Sequence, residues 1–196
     1  KIPSIDDQFI SLKNQEDNNI SNQVKSPVIP YGRHYIDDND IKEVVDVLRN
    51  GMLTQGPKVS EFEGKVAKYV GAKYAVAVSS GTAALHLAAI AIGLSDGDEA
   101  ITCTNSFVAT SNSVLYVGAK PIFIDIDNVT LNIDIDKIEQ IIKDSDCIKA
   151  IFPVHFAGLP CNMIEIKKLA EKYSLFVIED ASHALGAKYN NCLLYT

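Results

Sequence analysis

Residues 76–92 read VAVSSGTAALHLAAIAI, and the way this stretch is read decides the fold. It opens at the end of a short apolar run, residues 74–78, which has the length and β-branched content of a buried strand. Ser79, Ser80, Gly81 and Thr82 then form a turn, and a small-residue helix follows that closes at Gly93. A strand feeding such a turn at a helix N-terminus makes an anion site. The first helical amides lack intrahelical acceptors, the macrodipole is positive there, and the hydroxyls of Ser80 and Thr82 add donors. Gly81 lets the backbone approach an anion closely. The same turn also reads as an ordinary capped helix start, and the stretch alone does not choose between the two.

A second stretch, residues 175–186 (LFVIEDASHALG), bears on that choice. Another apolar strand runs into Glu179 and Asp180, with His183 close behind. Parallel α/β sheets gather ligand groups at the carboxyl ends of their strands. An Asp there, facing a phosphate site, suits a protonated ring nitrogen; pyridoxal phosphate needs such a carboxylate because its pyridinium makes the ring an electron sink. As a strand-end residue before a turn, Asp180 also reads as a cap.

Between the two stretches the pattern alternates. It predicts strands near residues 99–102, 121–126, 148–154 and 175–179, and helices near 108–117, 134–143 and 163–173. Such alternation predicts an α/β fold with a mostly parallel sheet and right-handed crossovers. Two helices precede it. The first, capped by Asp37 and Asp38 and stopped by Gly51, carries Ile41, Val44, Val45 and Leu48 on one face. The second starts after Gly56 and Pro57, with Val59, Phe62, Val66 and Tyr69 expected inward and Gly71 as terminator. Residues 1–28 read as a polar tail outside the core.

The chain has 196 residues, 47% of them apolar, a net charge of −7 and four cysteines. These values indicate a globular protein with a substantial core. The lack of a basic cluster argues against nucleic acid as a partner, and no apolar run reaches the length of a membrane span. The cysteines contain no CxxC pair, so neither a zinc site nor a disulfide scaffold is expected, no metal is assigned, and a reducing cytoplasm is the default. No GxGxxG follows the first strand, which disfavours a dinucleotide-binding domain. Asp125 and Asp127 end a strand and start a turn and are given no acid–base role. His86, on the helix after the Ser/Gly turn, reads as packing.

The segments SSGTAALHLA, TNSFVATSNSVLYVGAKPIFIDID, FPVHFAGLPCNM and IEDASHALGA, in this order, resemble the DegT/DnrJ/EryC1/StrS family of sugar aminotransferases. Residues 29–63 most resemble its transaminases acting on UDP-linked 4-keto-6-deoxy N-acetylhexosamines in pseudaminic acid biosynthesis. The resemblance implies the large domain of a fold type I (aspartate-aminotransferase-like) enzyme dependent on pyridoxal 5'-phosphate. It also implies a homodimer in the full-length form, with glutamate and the UDP-linked sugar as small-molecule substrates. Ser80, Gly81, Thr82 and Ala83 would hold the phosphate, and Phe107 would stack on the pyridine ring, although a Phe in such a loop also reads as core. Asp180 would pair with the ring nitrogen, and His183 would lie at the phenolic oxygen edge, with Ser182 adding a hydrogen bond. Tyr31, Thr54 and His155 fall on segments that line the substrate side, His155 being either a structural or a substrate contact.

In the resembling family the Schiff-base lysine lies beyond the position of Thr196, so no residue here is assigned to it. Neither Lys120 nor Lys188 stands in the matching context. Residues 29–196 are therefore expected to be the N-terminal portion of the large domain, without the lysine segment and the small C-terminal domain, and inactive alone. Two other readings stay open: an inactive fragment that at most binds a phosphorylated ligand, and a family dehydratase acting on a nucleotide sugar.

Overall fold

A computed structural model of the chain describes residues 30, 32–190, 192 and 193, the last two by their backbone only. The expectations for residues 1–28 and for Tyr31 lie outside the described residues. By contacts the chain divides after Gly51 into two units.

The first unit contributes helix α1, Asp38–Asn50. Asp37 caps it, accepting from the amides of Asn39 (2.8 Å) and Asp40 (3.0 Å), while the Asp40 carboxylate accepts from the Asp37 amide (3.0 Å). Helix start and stop match the sequence expectation, but Ile41, Val44 and Leu48 are exposed. The periodicity specifies a helix with an apolar face; it does not supply a surface to cover that face.

The second unit begins with α2, Pro57–Val70, which has Pro57 in its first turn and Gly71 in the left-handed region at φ 78°. Here the expected inward face is corrected. Val59, Phe62 and Tyr69 are exposed, Val66 is half-buried, and Val70 is the one buried residue of the helix. A second correction concerns residues 74–78. They join no ladder, and Val76 is 79% exposed. A strand needs a neighbour for its N–H and C=O groups, and the sheet formed by the described residues does not reach this one. Its tether is the Ala77 amide, which donates to the Glu63 carboxylate (2.8 Å).

From residue 81 the alternation holds. Helix α3 spans Gly81–Ala91, β1 Glu99–Cys103, α4 Val108–Tyr116 and β2 Lys120–Ile124. Helix α5 spans Ile135–Asp144, β3 Ile148–Phe152, a 3-10 turn Phe156–Gly158, α6 Met163–Tyr173 and β4 Phe176–Val177. The four strands lie parallel in the order β2-β1-β3-β4. A short antiparallel pair, β5 (Lys188–Tyr189) and β6 (Cys192–Leu193), follows. The last parallel strand is shorter than expected, because its ladder breaks after Val177 and resumes as a single bridge between Val154 and Asp180.

β1 and β3 are buried almost throughout, as parallel strands covered on both faces must be. Ala100, Ala150 and Phe152 join Ala89 of α3 and Val114 of α4 in one core. Ile101 and Ile151 join Ile138 of α5 and Ile166 of α6 in the other. Because the strands are parallel, the loops after β1, β3 and β4 emerge at the same end of the sheet.

Candidate active site

Those loops and the start of α3 enclose a cleft of about 230 Å³. It contains Gly81 and Thr82 from α3, Phe107 from the β1–α4 loop, His155 after β3, and Asp180 and His183 after β4. The predicted phosphate turn and the predicted strand-end carboxylate thus meet in one cavity.

At one wall, Ser80 caps α3, its hydroxyl accepting from the Ala83 amide (3.1 Å). Its own proton stays available to a ligand. Among the described residues the amides of Gly81 and Thr82 have no partner, as expected for the first turn of a helix. A Cβ on Gly81 would lie 3.3 Å from the Ser182 hydroxyl oxygen, so the two walls approach closely here.

Asp180 forms the opposite wall and is only 6% exposed. Its Oδ2 accepts from the Thr110 hydroxyl (2.6 Å); its Oδ1 accepts from the Ser182 hydroxyl (2.7 Å) and amide (3.2 Å). These neutral donors fix the carboxylate's orientation. No cation pairs with it among the described residues. A buried carboxylate with neutral donors on both oxygens still has lone pairs to offer, and a cationic N–H donor in the cleft would complete it. That donor set, facing unpaired helix amides, fits a ring with a protonated nitrogen at one end and a phosphate at the other. Burial pushes the Cys103 thiol up, and the Asp180 charge adds to that effect.

Phe107 stands directly before α4 and is 72% exposed. Core packing, the other reading of this side chain, is therefore excluded, and a ring face remains free at the cleft. The His183 side chain is exposed and lines the same space.

Of the two readings of His155, structural or substrate contact, its contacts are structural. Its side chain is 0% exposed. Nδ1 accepts from the Cys161 amide (3.0 Å), and Nε2 lies 3.1 Å from a Glu179 carboxylate oxygen. A polar contact with a ligand would have to break one of these bonds. Thr54 sits in the connector between α1 and α2 and is not among the residues that line the cleft. Asp127 serves its turn: the amides of Val129 and Thr130 and the Thr130 hydroxyl all donate to one of its oxygens, holding it below the usual carboxylate range.

Sequence reasoning missed Ser106 and Thr110. The two hydroxyls are 2.6 Å apart; Thr110 donates to Asp180, and Ser106 donates to the Phe107 carbonyl (2.9 Å). The signal was present in TNSFVAT, where a threonine one helical position after Ala109 follows the loop that carries Phe107. Asn132 was missed as well. Its side chain accepts from the Phe156 amide and donates to the Leu159 carbonyl, both at 3.0 Å, pinning the turn that follows His155.

Residues 34–193 match the DegT/DnrJ/EryC1/StrS aminotransferase family. The spore coat polysaccharide biosynthesis protein SpsC of Bacillus subtilis is 44% identical over 88% of this chain and 44% of its own length. The UDP-4-amino-4-deoxy-L-arabinose–oxoglutarate aminotransferase of Shewanella sediminis is also 44% identical, over 82% of this chain and 41% of its own. Among solved structures, NtdA of Bacillus subtilis, with bound cofactor PMP, is 39% identical over 74% of this chain and 34% of its own, with a TM-score of 0.69. The chain thus spans less than half the length of these relatives.

Proposed function

Because the chain belongs to the DegT/DnrJ/EryC1/StrS aminotransferase family, we propose that it forms the cofactor-binding part of an aminotransferase that uses pyridoxal 5'-phosphate. Its acceptor is a nucleotide-linked keto sugar. The observation that carries this reading is Asp180: a buried carboxylate, oriented by Thr110 and Ser182, with no cation of its own, opposite the open N-terminus of α3.

When bound, the cofactor supplies an electron sink for moving an amino group between two carbon skeletons. The chain's residues supply the hold. The amides of Gly81, Thr82 and Ala83 and the Ser80 hydroxyl meet the phosphate with the positive end of the helix. Asp180 meets the ring nitrogen and keeps its proton there. Phe107 and His183, which line the same cleft, would contact the ring. Burial limits water around the Asp180 carboxylate, which strengthens its pull on a cation.

The finer reading has glutamate as amino donor and the C4 carbonyl of a UDP-linked 4-keto-6-deoxy N-acetylhexosamine as acceptor, in surface-sugar synthesis of the pseudaminic acid type. It is supported by the resemblance of residues 29–63 and by the UDP-sugar relative. In this reading Tyr31 and Thr54 face the sugar, and two copies assemble in the cytoplasm. In this reading residues 29–196 form the first part of the large domain, and neither Lys120 nor Lys188 carries the cofactor.

Titrating the chain with pyridoxal 5'-phosphate, followed by its bound absorbance and circular dichroism, tests the site. Saturable binding is expected, with Asp180→Ala weakening it by about a hundredfold, the scale of a lost buried charge pair. Borohydride treatment should give only scattered labelling of exposed lysines, with no stoichiometric trapping at any one lysine. Absence of binding, or equal binding by the Asp180 variant, refutes the assignment; stoichiometric trapping at one lysine refutes the placement of the lysine.

A further inference from the structure

Glu179 and Asp180 are consecutive carboxylates at one strand end, yet they face different surroundings. Asp180 faces Thr110, Ser182 and the cleft; Glu179 faces His155. The backbone explains part of this. Ile178 donates to the Ile151 carbonyl (3.0 Å), Asp180 to the Pro153 carbonyl (2.9 Å), and His155 to the Asp180 carbonyl (3.1 Å). Extended backbone sends successive side chains to opposite faces. His155 explains the rest.

A backbone amide can only donate, so His155 Nδ1, which accepts from the Cys161 amide, carries no proton. The ring proton is therefore on Nε2 and is donated to Glu179. A doubly protonated ring would set N–H against N–H at Cys161 in a fully buried place. Glu179, with its side chain 14% exposed, has this ring as its partner within the core. The same residue thus binds the Asp180 carbonyl through its backbone and the Glu179 carboxylate through its ring.

We propose that His155 is a positioning residue: a neutral Nε2–H imidazole that holds Glu179 on the far face of the strand, so that Asp180 alone presents a carboxylate to the cleft. The inference rests on the cofactor assignment above for its functional meaning but not for its geometry. Without the ring, Glu179 and the buried Cys161 amide both lose their partners. A carboxylate and an amide left unsatisfied at this strand end then shift the backbone that carries both acids, and the orientation of Asp180 shifts with it.

The test begins with the intact 196-residue chain. Long-range proton–nitrogen NMR at neutral pH should find His155 protonated on Nε2 and bare on Nδ1. The opposite tautomer, or a doubly protonated ring, overturns the proposal whatever the cofactor does. His155→Leu should weaken pyridoxal 5'-phosphate binding by about tenfold, one charge-assisted hydrogen bond. Glu179→Gln, whose amide oxygen still accepts from Nε2, should stay within about threefold of the parent. Equal binding by His155→Leu, or a loss in Glu179→Gln as large as that in Asp180→Ala, overturns it as well. If the parent chain binds no cofactor, the functional assignment falls, while the tautomer measurement still decides the geometry.

Discussion

Two apolar runs approach the cleft in the same manner, and they end in different states. Residues 176–180 are tied to β3 by successive backbone bonds and deliver a buried Asp180. Residues 74–78 have equal strand character and deliver the Ser80 turn, yet they join no ladder, with Tyr74 and Val76 exposed and Ala77 bonded to Glu63. Strand propensity is a preference for a pleated, half-buried surface, and it is realised only where a neighbour supplies the other half of each hydrogen bond. The carboxylate wall of the site is built into the sheet core. The wall at the Ser80 turn is held by the helix it starts.

The largest contrast should appear in stability. Ile151→Ala, in the middle of β3 and fully buried, is expected to cost about 3 kcal/mol in denaturant unfolding. Val76→Ala should cost less than about 0.5 kcal/mol. A comparable loss at both positions would show that residues 74–78 are packed as a strand in solution, and the contrast would vanish.

A smaller effect is expected within the carboxylate wall. Thr110→Val removes the hydroxyl that fixes Asp180 Oδ2. It should lower cofactor affinity about tenfold, while Thr110→Ser restores it to within about threefold. Failure of serine to rescue would assign the effect to packing in α4 and not to the hydrogen bond.

The smallest effect lies on the rim, away from both runs. Glu139 on α5 accepts from Lys172 and Tyr173, and these bonds hold its carboxyl down at about 2 against an ordinary 4.5. A depressed folded value means that the unfolded chain takes up the proton first. The contribution is present above pH 4.5 and is lost as pH falls toward 2. Glu139→Gln should flatten the acid side of the melting-temperature profile slightly, since an exposed pair is screened by water. A steeper profile in the variant would contradict the sign.

Much of this molecule is legible from local sequence. Asp37, Gly51, Pro57, Gly71 and Ser80 mark helix starts and stops because capping and left-handed turns depend on a few neighbouring residues. The alternation after residue 81 specifies a parallel α/β sheet because each apolar run has one period and one length. Asp180 and the Ser80–Ala83 turn stood out because strand ends and helix starts are where such sheets bind ligands. The tertiary structure decided what depends on distant partners. Thr110 meets Asp180 across 70 positions of chain, which no local pattern encodes. Phe107 is turned out to the cleft, and His155 is spent on Cys161 and Glu179, because burial and hydrogen-bond satisfaction are settled by whatever the fold brings alongside. The apolar faces of α2 and of residues 74–78 carry the same lesson: periodicity states that a face is apolar, and only packing determines what, if anything, covers it.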